Sequence, residues 1–381
     1  MKKILFVTTR FPLDLYGGDK DRALGIIQVL SQKHLVDIVC LSTKKNSNFK
    51  IKLKNNIKIF KKNKILRILT AFNFIFLLKP MQLGFYFCSE MKKYINENSK
   101  KYDSIIFHTI RAAQYLPKNY KGKKILEMTD IISLNCKKTS NYLSFFNILK
   151  YIYLLEMFLV KRYEEFISVF FFKIILVSYN DIKESKKLLF KKKIQIIKSG
   201  INTHKNIYNF KKENNKILFL GNIDYLPNKI ACKDFITQVM PELYYKDKKI
   251  KFHIIGPINN ANKNMLKKYR NVKIHGATNN LSRVFKKSIC AINNVPIVTG
   301  FQNKILTYMS YGIPVISYKK YSEFKNNTEI IFYNNKQELI NKILQLKKSK
   351  TVANKLSKNS YLKIKHDFSW KKKASKYLDV I

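Results

Sequence analysis

Residues 3–41 read KILFVTTRFPLDLYGGDKDRALGIIQVLSQKHLVDIVCL, and this stretch decides the fold. It opens with an apolar run at 3–9 and closes with a second one at 36–41. Between them lie the pair Gly17-Gly18 and a segment at 23–32 whose apolar residues recur with helical spacing. A strand, a glycine loop, a helix and a second strand make up a parallel βαβ unit, so we predict an α/β protein.

The same alternation continues along the chain. Further predicted strands lie at 104–107, 124–126, 173–178 and 194–197, and then at 217–221, 252–256, 290–293 and 314–317. A chain of 381 residues suits two domains better than one. We therefore predict two Rossmann-like domains that face each other across a cleft. The N-terminal domain covers 1–202, a polar linker covers 203–216, and the C-terminal domain covers 217–366. A final helix at 367–381 is predicted to pack back on the first domain.

Composition narrows the class of protein. With 46% apolar and 13% aromatic residues, the chain can bury two cores and is not a disordered protein. The five cysteines are scattered and never form a CxxC pair, which argues against both disulfides and zinc. Because the first strand follows Met1-Lys-Lys directly, without the apolar stretch of a signal peptide, we expect a cytoplasmic protein.

The net charge predicts a polyanionic partner. The chain carries 74 Lys and Arg against 24 Asp and Glu, a formal charge of +50. Codon bias toward Lys, Asn and Ile explains part of this excess but not the scarcity of acids. Nucleic acid, an anionic membrane face and phosphorylated substrates all fit the charge. Since the lysines are spread over both halves and not concentrated on one groove, a nucleic-acid-binding protein is the least favoured alternative and no nucleic-acid partner is predicted.

Two stretches suggest contact with a membrane. Residues 61–79 and 145–172 mix aliphatic and aromatic residues with Lys and Arg. Neither contains the roughly 18 uncharged apolar residues that a spanning helix needs. Both suit basic amphipathic helices that lie on anionic lipid. Helices that cover the first sheet are the alternative, and for 145–172 this alternative is at least as strong.

A set of short motifs occurs in a fixed order along the chain. They are FPLDLYGGDKDR at 11–22, EMTD at 127–130, KSGINT at 198–203, LGNIDYLPN at 220–228, GFQNKILTYMSYGIPV at 300–315 and FSW at 368–370. Together these residues resemble the family-4 glycosyltransferases, and within them the bacterial sugar transferases of polysaccharide and O-antigen biosynthesis. The resemblance covers nearly the whole chain and implies the GT-B fold, in which two Rossmann-like domains enclose the active site.

The resemblance also implies a function. It predicts transfer of a sugar from a nucleotide diphosphate donor to a lipid-linked or saccharide acceptor at the inner face of the cell membrane, in surface-polysaccharide assembly. The expected partners are the nucleotide sugar, the acceptor and the anionic membrane surface. Neither a metal ion nor a cofactor is expected, because the chain lacks the Asp-x-Asp pair of metal-dependent glycosyltransferases.

One departure leaves the mechanism open. The family carries two glutamates separated by seven residues, and here Thr299 and Thr307 occupy those positions. Retention of anomeric configuration is the outcome that the resemblance implies. Inversion with Asp19 as the base is the alternative mechanism, and a catalytically inactive partner subunit that binds a sugar nucleotide is the alternative function.

Three catalytic residues are predicted: Asp19, His108 and Asp130. Asp19 follows the glycine loop and can orient or deprotonate an acceptor hydroxyl, although it is also a typical helix cap. His108 and Asp130 follow predicted strands, where side chains reach the cleft of an α/β protein. A lone histidine is more often structural, and an aspartate before a helix is often a cap.

Residues that bind the donor and its phosphates are predicted in both halves. The glycine loop before a helix lets backbone amides approach an anion, and an arginine beside it can hold a phosphate. The usual basic pair of the second domain is missing, which leaves Lys304 as the best cation for the diphosphate. The predicted set is Gly17, Gly18, Arg22, Gly221, Asn222, Gly300, Gln302, Asn303, Lys304 and Thr307.

Overall fold

The computed structural model describes residues 1–12, 18–42, 56–184, 191–318 and 321–381. The predicted site residue Gly17 lies outside these ranges. The described residues form two sheets in which all paired strands run parallel, with helices packed on their faces. This arrangement confirms the predicted α/β fold with two Rossmann-like domains.

The first sheet has seven described strands in the order β3-β2-β1-β4-β5-β6-β7. Their bounds are β1 Lys3–Thr8, β2 Leu35–Ser42, β3 Ile57–Lys61, β4 Ser104–His108, β5 Lys123–Thr129, β6 Lys173–Leu176 and β7 Ile194–Ile196. The central strands β1 and β4 are almost completely buried, as expected for parallel strands covered on both faces.

The helices of the first domain differ in how they are covered. Their bounds are α1 Gly18–Leu30, α2 Lys64–Phe76, α3 Met81–Phe85, α4 Ser89–Asn98, α5 Ile132–Tyr142, α6 Ile148–Ser168 and α7 Tyr179–Glu184. Helix α1 buries Ile26, Ile27 and Leu30 against the sheet. By contrast, α2 buries only Arg67 and Ala71.

The second sheet has six described strands in the order β10-β9-β8-β11-β12-β13. Their bounds are β8 Lys216–Leu220, β9 Lys251–Ile255, β10 Val272–Gly276, β11 Ser288–Asn293, β12 Val315–Ser317 and β13 Ile331–Phe332. The helices around them are α8 Leu226–Asp234, α9 Met240–Lys246, α10 Asn260–Lys267, α11 Leu281–Phe285, α12 Asn303–Ser310, α13 Lys336–Lys348 and α14 Lys350–Asp367.

The last helix, α15 (Trp370–Val380), lies against α1 of the first domain. The indole of Trp370 occupies the space that a Cβ atom would take at Gly25 and at Gly200. Only residues without a side chain allow this close approach. Trp370 thus fastens the end of the chain to the domain where the chain began.

Among the described residues, no helix combines the length and the apolar character needed to cross a bilayer. Two helices of the first domain nevertheless expose many large apolar side chains. On α2 these are Ile65, Leu66, Ile68, Leu69, Phe72 and Phe76, and at α6 and the turn before it they include Phe145, Phe146, Ile148, Leu155 and Phe158. We call these two sets the apolar lip.

Candidate active site

The candidate site is a cleft of about 1020 Å³ between the two domains. Its walls are formed by residues that directly follow β1, β4, β5 and β6 in the first domain and β8, β9 and β11 in the second. The cleft therefore lies at the carboxyl ends of both parallel sheets, where α/β proteins bind ligands. Of the described residues predicted to form the site, all except His108 line it.

In the second domain, the backbone itself forms part of the wall. Gly256 adopts a φ of +131°, and a Cβ atom there would collide with the carbonyl oxygen of Gly221. The loop after β8 is held by Asn228, whose Nδ2 donates to the Asn222 carbonyl at 2.9 Å. The missing side chains let the loops after β8 and β9 pack against each other and against Asn228, and both glycines line the cleft.

The first turn of α12 faces the same cavity. Gln302 occupies the N-cap position, and its side chain makes no capping hydrogen bond. The first backbone N–H groups of a helix lack partners within the helix and carry partial positive charge. Since Gln302 and Asn303 line the cleft, this helix end is placed to receive an anion.

Lys304 places a titratable amine at that helix end. Its Nζ donates to Asn228 Oδ1 at 2.9 Å and lies 4.1 Å from the centre of the Phe219 ring. Burial lowers the pKa of Lys304 to about 7. An anion that enters the cleft would favour the protonated form, so Lys304 can respond to a bound diphosphate.

The two threonines at the glutamate positions have different partners. Thr299 Oγ1 donates to Asp130 Oδ2 at 3.1 Å and accepts from Asn135 Nδ2 at 2.9 Å. It therefore links the second domain to a carboxylate of the first. Thr307 Oγ1 donates to the Asn303 carbonyl one turn earlier in α12, at 3.2 Å. Both threonines line the cleft, where they supply hydroxyl groups but no charge.

Asp130 is the predicted catalytic residue that the geometry leaves most available. It directly follows β5, lines the cleft and is bonded to Thr299. Burial raises its pKa, although nearby Arg111 and the Thr299 hydrogen bond oppose the shift. A carboxylate with a raised pKa is a stronger base than an exposed one, which suits proton transfer near neutral pH.

Asp19 also lines the cleft, but its carboxylate is already paired. Oδ2 of Asp19 lies 2.8 Å from Arg10 Nη1. Burial alone would raise the pKa of Asp19, but the charges of Arg10, Arg111 and Lys20 oppose it, and the net shift is downward. Because a lowered pKa makes a poor base, this geometry favours an orienting role for Asp19 over proton abstraction.

His108 lies behind the cleft wall, in contrast to the catalytic position predicted for it. The ring is buried, stacks on Phe6 and donates from Nε2 to the Asp19 carbonyl at 2.8 Å. Burial lowers the pKa of His108, which favours the neutral imidazole. Within the described residues, Nδ1 has no hydrogen-bond partner. His108 therefore positions the Asp19 backbone and does not reach a ligand in the cleft.

Arg22 is likewise placed differently from the phosphate-binding role predicted for it. Its side chain is 1% exposed and pairs with the fully buried Glu127, with Nε 2.8 Å from Oε1. The remaining nitrogens donate to Ser199, to the Ile197 carbonyl and to the Tyr377 hydroxyl. Because its donors are used inside the protein, Arg22 joins α1, β5 and α15 and holds no phosphate.

Two contacts that cross the cleft fix the position of the 300–303 loop. Gly300 N donates to both carboxylate oxygens of Asp181, at 2.8 and 3.0 Å. Asn303 Nδ2 donates to the Gly18 carbonyl at 2.9 Å. Gly18 of the first domain and the start of α12 in the second thus meet directly.

Sequence reasoning missed three arginines in the first-domain wall. Arg10, Arg67 and Arg111 all line the cleft, and each guanidinium lies within 6.0 Å of the centre of the Tyr86 ring. Arg10 and Arg111 come shortly after β1 and β4, so their place at strand ends was a usable signal. Arg67 lies on α2 and Tyr86 just after α3, and no local pattern connects them to the site.

Two threonines at strand ends hold unusual backbone conformations. Thr109 follows β4 with a φ of +69°, and Thr129 ends β5 with a φ of +66°. Both line the cleft. Such left-handed conformations are rare for β-branched residues and are often found at functional sites. They redirect the chain at the points where Arg111 and Asp130 enter the cavity.

Metal-ligating side chains do not cluster in the part of the chain that the structure describes: no three His, Cys, Asp or Glu residues converge there. The five cysteines are all buried and unpaired in the structure.

Residues 214–349 match the family described as "Glycosyl transferases group 1". The sequence matches no curated protein at a significant level.

Three solved structures share the fold over essentially the whole chain. HepE from Anabaena, solved in complex with UDP and glucose, is 13% identical with a TM-score of 0.68, over 100% of this chain and 99% of its own. TarM from S. aureus, in a complex that contains UDP, is 13% identical with a TM-score of 0.70, over 100% and 99%. Sucrose-phosphate synthase from Thermosynechococcus elongatus is 12% identical with a TM-score of 0.72, over 100% and 98%.

The fold is therefore the GT-B fold of two facing Rossmann-like domains. With a glycosyl transferases group 1 match over most of the second domain, the chain is a glycosyltransferase of the GT-B class.

Proposed function

We propose that this glycosyltransferase moves a sugar from a nucleotide diphosphate donor to a lipid-linked or saccharide acceptor, in the assembly of a surface polysaccharide. The observation that carries the proposal is the composition of the second-domain wall. Gly221 and Gly256, the start of α12 and the amine of Lys304 line one cleft, and the N-cap residue of α12 makes no side-chain capping hydrogen bond. This combination suits a diphosphate, which needs close main-chain contact and positive charge.

The donor is proposed to lie with its diphosphate against Lys304 and its sugar toward the first domain. UDP or a UDP-sugar is bound in the Anabaena HepE structures, and UDP in that of S. aureus TarM. By analogy of fold, the same class of ligand is the first choice for this cleft. Catalysis then depends on holding the leaving diphosphate and the acceptor hydroxyl in position, together with electrostatic stabilisation of the charge that develops.

Asp130 is proposed to contact the acceptor hydroxyl. Its carboxylate faces the cleft from the first domain, while the diphosphate-binding wall belongs to the second. A raised pKa is consistent with a group that accepts a proton. Asp19 is proposed to assist by keeping Arg10 in place through their ion pair.

Retention of anomeric configuration remains the proposed outcome, on the basis of the family resemblance. Thr299 and Thr307 would then serve through hydrogen bonds to the donor in place of the two glutamates. Inversion with a carboxylate base is the competing mechanism, and Asp130 supports it better than the ion-paired Asp19. The anomeric configuration of the product, read by NMR coupling constants, separates the two mechanisms.

The reaction is proposed to proceed without a metal ion or cofactor. Lys304 and the N-terminal N–H groups of α12 can neutralise the leaving diphosphate. Activity that is unchanged after treatment with EDTA and lost in Lys304→Gln supports this proposal. Activity that disappears with EDTA and returns with Mg²⁺ or Mn²⁺ contradicts it.

The enzyme is proposed to work on the inner face of the cell membrane. The apolar lip on α2 and α6 belongs to the same helices whose other faces line the cleft through Arg67, Ala71 and Glu156. Exposed apolar side chains beside lysines, on a protein of charge +50, suit an anionic lipid surface. A lipid-linked acceptor would then be presented directly at the mouth of the cleft.

The deciding experiment incubates the purified protein with a panel of nucleotide sugars and with polyprenyl-pyrophosphate saccharides in anionic vesicles. Release of nucleoside diphosphate together with a lengthened acceptor is the expected result. Lys304→Gln should abolish release, whereas the exposed control Lys233→Gln should retain it. If no nucleotide sugar is bound or consumed, the proposed function is wrong, and binding without turnover points to an inactive subunit.

A further inference from the structure

The three cleft-lining arginines lie in the first domain, whereas Lys304 lies in the second. Arg10 follows β1, Arg67 lies on α2 and Arg111 follows β4, so three distant segments bring them within 6.0 Å of the centre of the Tyr86 ring. Arg10 donates from Nε and Nη2 to the Tyr86 hydroxyl, at 3.1 and 2.9 Å. The burial of Arg67, which is 5% exposed, makes this an organised group and not a patch of surface charge.

The side chains are held in place by neutral partners for the most part. Arg67 donates to the carbonyls of Lys62 and Ser42, both at 3.2 Å. Arg111 Nε donates to Gln82 Oε1 at 2.9 Å. In the described part of the chain, Arg111 Nη1 and Nη2 donate to no other group. A carbonyl or an amide orients a guanidinium without cancelling its charge.

The group carries more positive charge than its neighbours neutralise. Arg10 is paired with Asp19 at 2.8 Å, and this is the one ion pair that the described residues make with the three arginines. Arg67 and Arg111 make none, although the charge of Arg111 interacts with the Asp130 carboxylate on the same wall. Guanidinium groups bind phosphate oxygens in pairs of parallel hydrogen bonds, which makes such a cluster a receptor for a phosphorylated group.

The position of the arginine cluster relative to the apolar lip indicates which phosphorylated group the cluster binds. Arg67 and Ala71 are on the buried face of α2, and Leu69 and Phe72 are on the exposed face of the same helix. If the exposed face contacts lipid, the buried face holds an arginine at the boundary between membrane and cleft. A pyrophosphate attached to a lipid chain fits that place, because its charge enters the cleft while its chain stays beside α2.

We propose that Arg111, Arg67 and Arg10 form an acceptor-side anion site that binds the pyrophosphate of a lipid-linked acceptor. The inference rests on the proposed function and names the acceptor class for it. Arg111 is the main ligand, Arg67 supports it from α2, and Arg10 contributes while paired with Asp19. The site is separate from the Lys304 wall, so each can be weakened independently.

The test measures binding by calorimetry in the full-length protein, with the donor site filled by the nucleoside diphosphate that binds best. Geranyl diphosphate stands in for the lipid-linked group, and inorganic pyrophosphate for the free ion. Arg111→Gln removes charge-assisted hydrogen bonds, so the affinity for geranyl diphosphate should fall about tenfold or more. Nucleotide affinity should stay within about twofold of the wild-type value, because uncoupled sites are additive.

Two further variants distinguish a specific loss of binding from a folding defect. Arg111→Lys keeps the charge and should retain part of the affinity, which a folding defect would not do. Arg270→Gln removes an exposed arginine of the second domain and should change nothing. If Arg111→Gln lowers the affinity for the nucleotide as much as the affinity for geranyl diphosphate, the arginines belong to the donor site and the inference is wrong.

The remaining outcomes also decide the matter. Equal affinity of wild type and Arg111→Gln for geranyl diphosphate would contradict the proposed anion site. Inorganic pyrophosphate that binds as tightly as geranyl diphosphate overturns the lipid source and leaves a soluble phosphate as the ligand. Nucleotide binding is measured separately, with no geranyl diphosphate present. Failure of every nucleotide to bind would reject the proposed function itself.

Discussion

Asp181 and Gly300 join the two domains through a single peptide N–H. Both oxygens of the buried Asp181 carboxylate accept from Gly300 N, at 2.8 and 3.0 Å. Gly300 has a φ of +62°, and a Cβ atom there would come within 3.2 Å of Asp130 Cβ. This contact therefore sets where α12 begins relative to the first domain, and with it the positions of Lys304 and Asp130.

We expect Asp181→Asn to loosen this link. The substitution preserves shape but removes a charge-assisted hydrogen bond, so the free energy of unfolding should fall by about 1–3 kcal/mol. Nucleotide-sugar affinity should fall with it, since the α12 loop loses its anchor. Urea unfolding and calorimetry measure the two effects, with the exposed Asp379→Asn as control. Unchanged stability and affinity would show that Gly300 is held by other contacts.

Nucleotide-sugar binding should depend on pH through Lys304. The pKa of this amine is lowered to about 7 by burial, and a bound diphosphate stabilises its protonated form and raises that pKa. Binding therefore takes up a proton above pH 7. Affinity should be constant well below pH 7 and should decrease as the pH rises through 7.

Calorimetry between pH 6.5 and 9 in buffers of different ionisation heat measures both the affinity and the proton uptake. Lys304→Gln should bind weakly at every pH and show no uptake, whereas the exposed control Lys233→Gln should behave as wild type. A wild-type affinity that increases with pH would contradict this assignment.

Asp130→Asn should lower kcat with little change in donor affinity. The amide can still accept from Thr299, but it cannot take a proton, and loss of a general base costs about 10²–10⁴-fold in rate. In wild type, kcat/KM should fall as the pH drops through the raised pKa of Asp130, because only the carboxylate is active. A variant with normal kcat would exclude Asp130 as the base and favour proton transfer to the donor phosphate.

Trp370→Ala should release the final helix from the first domain. The indole is 8% exposed and fills the space beside Gly25 and Gly200, so its removal leaves a cavity and costs about 3–5 kcal/mol. Thermal unfolding should show a lower Tm. Lys371→Ala, on the exposed side of the same helix, is the matched control. A Tm equal to that of wild type would mean that α15 is not held by Trp370.

The apolar lip should bind anionic vesicles. Burial of an apolar side chain is worth about 1.5–3 kcal/mol, so the double change Leu69→Gln and Phe72→Gln should weaken co-sedimentation about tenfold or more. Tyr245→Gln, at a still more exposed site in the second domain, should have no effect. Vesicles of neutral lipid should bind less than anionic ones, and less still at high salt. Equal binding by all variants would remove α2 from the membrane contact.

Much of the architecture could be predicted because buried parallel strands are continuous apolar runs. The runs at 104–107 and 217–221 coincide with β4 and β8 to within a residue. The strands that sequence analysis omitted lie at sheet edges. In β3 and β10, apolar residues alternate with lysine or histidine, and most side chains are only half-buried, so the apolar signal is weak. The two-residue β13 is too short to predict.

The site was predicted less completely than the fold. Asp130 follows a strand and Asp19 follows the glycine loop, and both line the cleft, but position along the chain could not tell which way a side chain turns. Arg22 follows the glycine loop as expected, yet Glu127 and Tyr377 draw it into the interior. His108 ends β4 but stacks on Phe6 behind the wall.

Local sequence thus determined the strands, the helices, the two-domain order and the loops that border the cleft, because hydrophobic period and glycine position act within a few residues. Only the tertiary structure decided which charges remain available to a ligand. Arg22 pairs with Glu127, and Arg10 pairs with Asp19. Arg67 and Arg111 both lie beside Tyr86. All these contacts join residues that are 9 to 105 positions apart in sequence. The free energy of a charge is set by what surrounds it in space, which the order of residues along the chain does not specify.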